Sequence, residues 1–297
     1  MEKYARRIDR AKDGHMPRLG TVALTVALAA LGISGALTAT ASAGPSAHTA
    51  PAQGYWEVAA DGGIFTYGSA SFQGSLGGQG SNDPVVGVAA TPDGGGYREL
   101  QANGLVSSFG DAAPLSTSSG ALQAVGIASL SNGVYDEAYS GGQVMKQAGT
   151  FSTFSGAFAH LNAPIEGITA SQNDMAWMVG SDGGVFGVDG APFYGSMGGK
   201  ALNAPIVGIA ATPDGGGYWL VASDGGVFSF GDATFDGSMG GVRLNAPVVG
   251  MTATPDGGGY WLVASDGGVF SFGDATFLGS MGGQHLNAPI VGIAAAP

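Results

Sequence analysis

The sequence predicts an all-β protein, a six-bladed β-propeller closed by pairing of its N- and C-terminal strands. Three observations predict it: a repeat of about 42 residues, short apolar runs punctuated by turn residues, and two ends that are complementary halves of one unit.

The repeat is the dominant signal. Thr212-Pro213-Asp214-Gly215-Gly216-Gly217-Tyr218-Trp219-Leu220 returns 42 residues later as Thr254-Pro255-Asp256-Gly257-Gly258-Gly259-Tyr260-Trp261-Leu262. Alignment on the tyrosine gives Tyr55, Tyr97, Tyr135, Ala176, Tyr218 and Tyr260, hence six units. The fifth and sixth are nearly identical, differing between 218–239 and 260–281 only at Asp236 and Leu278.

Within a unit, four strand-like runs are expected. In the fifth they cover 206–211, 218–223, 227–230 and a brief stretch around Phe235. They are rich in Val, Ile, Phe, Tyr and Trp, and Gly, Pro, Asp and Asn bound them. Ser223-Asp224-Gly225-Gly226 supplies the positive φ values that a tight hairpin needs. Both faces of the second run are apolar, as in a sheet covered on both sides. The glycine central to each first run (Gly87, Gly126, Gly167, Gly208, Gly250, Gly292) suits a crowded position around an axis. Trp56, Trp177, Trp219 and Trp261 share one repeat position, which suits packing between units rather than a sugar platform.

Closure rests on the ends. The chain stops in a first run at 289–297 and, after a lead-in, starts with a second run at Gly54-Tyr55-Trp56. Pairing the two completes a sixth unit and removes an open edge. An open β-solenoid is the alternative, but it calls for distinct capping ends.

Residues 1–43 read as a signal peptide, 44–53 as a flexible lead-in and 54–297 as the repeat domain. Lys3, Arg6, Arg7, Arg10, Lys12 and Arg18 precede an apolar run from Thr21, and Ala41-Ser42-Ala43 offers a cleavage site. The leader holds six of the ten Lys and Arg but three of the twenty-two acids, so the remainder carries a formal charge of −15. Such a surface repels phosphate backbones and anionic lipid heads. Nucleic acid is excluded as a partner, as is a membrane once the leader is cut. The absence of Cys rules out disulfides, thiolate metal sites and a cysteine nucleophile.

The run Gly217-Tyr218-Trp219-Leu220-Val221-Ala222-Ser223-Asp224-Gly225-Gly226-Val227-Phe228, with Leu244-Asn245-Ala246-Pro247 between units, resembles tandem repeats of secreted actinobacterial proteins. The resemblance spans about 54–297 and implies export and association with the cell surface. It implies no activity.

Most recurring polar residues have turn roles. The Asp-Gly-Gly turns lack the carboxylate density of a calcium loop, so neither a metal nor a cofactor is expected. His160 and His285 each precede Leu-Asn-Ala-Pro, where other units have Ala201 or Arg243, and read as loop residues. No G-x-S-x-G nucleophile motif occurs. The informative feature is a departure from the repeat. Where the fifth and sixth units have Leu220 and Leu262, the first three carry Glu57, Glu99 and Glu137, and at the tryptophan position the second and third carry Arg98 and Asp136. Lys146 replaces Ser229, and Glu166 replaces Val207. Charges at apolar positions must be paired, solvated or used.

Two arrangements follow: Arg98 paired with Asp136 or Glu137 across a unit interface, or a polar ligand pocket formed by Glu57, Arg98, Glu99, Asp136 and Glu137. The expected function is a secreted, non-enzymatic interaction module for cell-wall carbohydrate or an extracellular protein. The alternatives are a carbohydrate-active hydrolase using Glu57, Glu99 and Glu137, or a structural spacer.

Overall fold

Hairpin-forming residues dominate the structure as they dominate the sequence. The computed structural model describes residues 53–80, 83–114, 122–146, 150–152 and 161–297. The leader, all but the last residue of the lead-in, and His160 lie outside them. Every element among the described residues is a β-strand, and no helix there is long and apolar enough to cross a membrane.

In chain order the strands are β1 (Gly54–Ala59) and β2 (Ile64–Gly68); β3 (Val85–Ala90), β4 (Gly96–Gln101) and β5 (Val106–Gly110); β6 (Ala124–Ser129), β7 (Tyr135–Tyr139), β8 (Val144–Lys146) and β9 (Thr150–Ser152). Then come β10 (Ile165–Ala170), β11 (Ala176–Gly180) and β12 (Val185–Val188); β13 (Ile206–Ala211), β14 (Gly217–Ala222) and β15 (Val227–Gly231); β16 (Val248–Ala253), β17 (Gly259–Ala264) and β18 (Val269–Gly273); and finally β19 (Ile290–Ala296).

They form six antiparallel sheets, one per unit, with the second strand in the middle. β1 pairs with both β2 and β19, Glu57 lying opposite Phe65 and Ile293, so the two ends share one sheet. The first strands also follow one another in space. β3 lies beside β6, β6 beside β10, β10 beside β13, β13 beside β16, β16 beside β19, and β19 beside β3.

Each middle strand is covered on both faces, and the core is divided into clusters between consecutive sheets. Because side chains alternate along a strand, Tyr218 and Leu220 face the preceding sheet while Trp219 faces the following one. One joint recurs. Trp219 packs on Tyr260 with ring centroids 5.5 Å apart, and Trp177 on Tyr218, Trp56 on Tyr97 and Trp261 on Tyr55 repeat it at 5.6, 5.5 and 5.3 Å. All four indoles are fully buried, which fits packing rather than a sugar platform.

Two expectations are corrected. Among the described residues the fourth run joins a sheet only in the third unit, as β9; the other sheets have three strands. In the fifth unit its polar groups are engaged sideways. Trp219 Nε1 donates to Thr234 O (2.6 Å), Asp236 N donates to the Tyr260 hydroxyl (3.2 Å), and that hydroxyl donates to Gly237 O (2.6 Å). The segment is therefore a strap onto the next unit. It presents an exposed Phe235, as the equivalent straps present Phe72, Phe193 and Phe277. The second unit, which lacks the tryptophan, has Pro114 there.

The second correction concerns the first-strand glycines. A Cβ at Gly126 or Gly208 would meet a neighbour at 3.2 Å, but at Gly167 it would meet nothing within 4 Å and at Gly250 nothing nearer than 3.7 Å, so crowding holds at some of these positions and not at all. Each glycine also follows a bulge. The register shifts between Val85 and Gly87, Ile165 and Gly167, Ile206 and Gly208, and at the matching places elsewhere.

The tyrosine joint yields a direct test. The Tyr218 hydroxyl donates to Gly195 O (2.7 Å) and accepts from Tyr194 N (3.1 Å). Tyr218→Phe keeps the ring and orphans two backbone groups, so a loss of about 1–3 kcal/mol is expected in urea denaturation. An unchanged midpoint would show that water satisfies both groups.

Candidate functional site

The charged exceptions sit on the middle strands, and the pleat decides which interface each enters. Glu57 on β1, Glu99 on β4 and Glu137 on β7 occupy one register position, opposite Ile293, Val88 and Ile127 of their first strands. They share the face of Leu220 and so turn toward the preceding sheet. Arg98 and Asp136 share the face of Trp219 and turn toward the following one.

Glu57 is fully buried beneath the hairpin turn of the sixth unit, so close that a Cβ on Gly267 would lie 3.2 Å from its Oε2. Neither carboxyl oxygen has a full hydrogen bond, the Met281 amide interacting with the group only weakly. Burial pushes this group up to about 8; the Met281 amide offsets it only partly, and the Asp266 charge adds to it. Glu99 repeats the arrangement one interface on. Its Oε1 accepts a long bond from Leu76 N (3.4 Å), and its Oε2 lies under Gly62 without a partner. Burial, aided by Asp61, likewise pushes it up to about 8.

Glu137 is better supported. The Tyr139 hydroxyl donates to its Oε2 (2.7 Å), and the Tyr135 hydroxyl also favours its charged form. Burial raises it to about 7, with the two hydroxyls holding it down. Tyr135, Glu137 and Tyr139 lie two residues apart on one strand, hence on one face. That spacing is visible in the sequence and identifies the tyrosine pair that residue-by-residue comparison of the repeats passes over.

Arg98 takes over the tryptophan's place in the joint. Its guanidinium lies over the Tyr135 ring, 5.1 Å from the centroid, as the indoles lie on the other tyrosines. It is 1% exposed, and Nη2 donates to Gly133 O (2.9 Å) while Nε and Nη1 have no partner. Burial lowers its pKa, and the charges of Tyr135 and Asp111 oppose that. Asp136 is buried in the next interface with Oδ1 unpartnered. Burial raises it, Lys146 across the strand pair pulls it back, and Asp174 adds to the rise. Lys146 itself is paired with Asp189.

Of the five residues, Arg98 and Glu137 thus enter one interface, linked through Tyr135. Glu57, Glu99 and Asp136 each enter a different one. The expected ion pair of Arg98 with Asp136 or Glu137 is absent, because Arg98 and Asp136 face away from one another's interface and Tyr135 stands beside Glu137. Glu166 is the bulge residue of β10 and lines a cavity of about 100 Å³ with Val86, Val125, Val207, Val249 and Val291, one residue from each first strand. Among the described residues no group of three or more His, Asp or Glu is placed to hold a metal ion.

A cavity of about 420 Å³ opens beside Arg98. Thr91, Pro92, Asp93, Asp111, Ala113, Ser131, Asn132 and Gly133 complete its lining. The Thr91 hydroxyl lies within hydrogen-bond reach of Asp93 Oδ1 (2.9 Å) and Asp111 Oδ1 (3.1 Å). Thr254 is likewise bonded to Asp274 in the sixth unit, so the threonine–aspartate frame belongs to the repeat and only the arginine is peculiar to this copy. A scan against protein-family models returns no match for the chain, and a search of curated proteins returns none either.

Proposed function

We propose that the chain is an exported six-bladed β-propeller acting as a non-enzymatic binding module at the cell surface, for cell-wall carbohydrate or an extracellular protein. The shape rests on the unbroken succession of first strands from β3 round to β19 and back, and on the shared sheet of β1 and β19. Export rests on the leader-like N-terminus and on the resemblance to secreted actinobacterial repeats.

One observation carries the choice of binding over catalysis. The three glutamates are buried in different interfaces, Glu57 against Gly267, Glu99 against Gly62 and Glu137 beside Tyr135 and Tyr139. A glycosidase needs two carboxyl groups about 5–10 Å apart across one exposed bond. Carboxyls sealed in separate interfaces cannot share a bond. The cavity beside Arg98 is lined by Thr91, Asp93, Ser131 and Asn132 and by none of the three glutamates, which suits holding a group rather than cleaving one.

The test is retention. The chain, expressed with its own leader and recovered from the medium, is expected to pellet with isolated peptidoglycan or to bind members of a glycan array, without releasing reducing sugar. Failure to bind either, together with failure to capture any cell-surface protein, overturns the reading. Release of reducing sugar would replace it by the hydrolase.

A further inference from the structure

One unit breaks a set of identical side chains. The second residue of each first strand is valine in five units (Val86, Val125, Val207, Val249, Val291) and Glu166 in the fourth, and all six line the cavity of about 100 Å³. Valine at that place needs no partner, whereas a partly desolvated carboxylate is costly until something compensates its charge.

We infer that this cavity binds a primary ammonium carried on an aliphatic group, presented by a peptide as a lysine-type side chain or as its amino terminus. The ammonium would sit on Glu166 and the aliphatic part among the valines. The inference rests on the binding-module reading and supplies a ligand class for it. Three features select that class.

The carboxylate is reachable and unpaired. Glu166 is part-exposed and has no hydrogen bond or ion pair among the described residues. Unlike the Glu57 oxygens, its carboxyl oxygens are not shut off from solvent. Burial still raises its pKa, and no cation or hydrogen bond draws it back. The walls are aliphatic and carry no other charge. Besides the valines and glycines they comprise Val88, Ile127, Ile168, Ile209, Met251 and Ile293, two residues further along the strands. Those six also line a cavity of about 280 Å³ that continues along the later strand residues, so they floor the smaller one. Charge therefore stands where the strands begin, and methyl groups lie beneath it. An anion would be repelled, a sugar would strand its hydroxyls on these walls, and a divalent cation wanting about six oxygens finds one carboxylate. An alkylammonium gives the carboxylate charged N–H donors and the walls an apolar surface. The size sets the last limit. About 100 Å³ is the space of about three waters, well under the ~300 Å³ of sites that enclose a whole small molecule, so the cavity takes a projecting group.

The experiment is a saturation-transfer NMR titration of the secreted protein with butylammonium, and with butanol and tetramethylammonium, which lack the charge and the N–H donors respectively. Saturable butylammonium binding of about millimolar strength is expected for so small a ligand, with both controls at least about tenfold weaker. Glu166→Val gives the fourth unit the residue that the other five carry, so it should fold and lose at least about tenfold in binding. Glu166→Gln keeps the size without the charge and should lose most of the binding too, with thermal melts reporting folding for both. Nα-acetyl-lysinamide and leucinamide separate the sources, the first offering only a side-chain ammonium and the second only an α-ammonium. Binding of either one, lost in Glu166→Val, supports the inference and names the source. No saturation with butylammonium, undiminished binding in either folded variant, equal binding of butanol or tetramethylammonium, or binding of neither amide each overturns it. Retention on peptidoglycan or a cell-surface protein with no ammonium bound would defeat this site and leave the binding module standing. Ammonium binding without retention on any polymer or protein would do the reverse.

Discussion

Replacing Trp261 by alanine is expected to cost about 3–5 kcal/mol, as much as the same change at Trp219. Both indoles are fully buried, both donate from Nε1 to a strap carbonyl (2.9 Å to Thr276, 2.6 Å to Thr234), and both pack on a tyrosine of the following sheet. They differ in which tyrosine. Trp219 meets Tyr260 of the next unit along the chain, whereas Trp261 meets Tyr55, at the far end of the repeat domain. The Tyr55 hydroxyl also bonds Gly279 O (2.6 Å) and accepts from Leu278 N (3.2 Å), as its counterparts do within the array. In a closed propeller the terminal joint is one of six and carries its share of a single cooperative unit. In an open array it would be missing, and Trp261 would lie at a frayed edge. Urea denaturation of the two alanine variants separates these cases. Equal losses support closure; a full loss for Trp219→Ala with under about 1 kcal/mol for Trp261→Ala would overturn it.

How far this was legible in the sequence follows from the same residues. Position within the repeat marks the tyrosine, the tryptophan and the turn glycines, because the units that carry them use them in the same joint and hairpin. A fourth strand was expected in every unit, and β9 meets that expectation in the third; the straps of the other units were not legible, since 232–237 has strand-like composition but its polar groups go to Trp219 and Tyr260. The bulge, too, hides behind the glycine that follows it. At the site, the charged positions were legible and their grouping was not. Comparing units column by column puts Arg98 and Asp136 in one column, which invites pairing. The pleat forbids it, since equal positions in successive units face successive interfaces. Glu137 is the residue that shares an interface with Arg98, and Tyr135, two positions before it, takes the contact.

The same burial makes stability depend on pH in a predictable sense. Burial pushes Glu57 and Glu99 up to about 8 and Glu137 up to about 7 in the folded chain, against about 4.5 when unfolded. Between these values the folded state binds more protons than the unfolded one, so unfolding free energy falls as pH rises. The contribution of the three groups is fully present below pH about 4.5 and is lost as pH passes through about 7 to 8. Its size is of order a few kcal/mol for each fully buried carboxyl, since one pKa unit corresponds to about 1.4 kcal/mol. At the acid end the turn residues act oppositely. The Thr91 hydroxyl lowers Asp93 and the Gly216 amide lowers Asp214, so their contribution is lost as pH falls. Leucine is already the residue at this position in the fifth and sixth units, where it packs with no exposure. Glu57→Leu and Glu99→Leu together should therefore raise the midpoint at pH 9 more than at pH 5 and flatten the fall between them. A buried charge replaced by a packed apolar group commonly gains about 1–4 kcal/mol. Glu137→Leu should gain less, because it strands two tyrosine hydroxyls that now have a partner. Thermal melts from pH 5 to 9 decide the matter: a wild-type profile with no alkaline fall, or a leucine double variant that keeps the wild-type slope, would mean that water reaches these carboxyls after all.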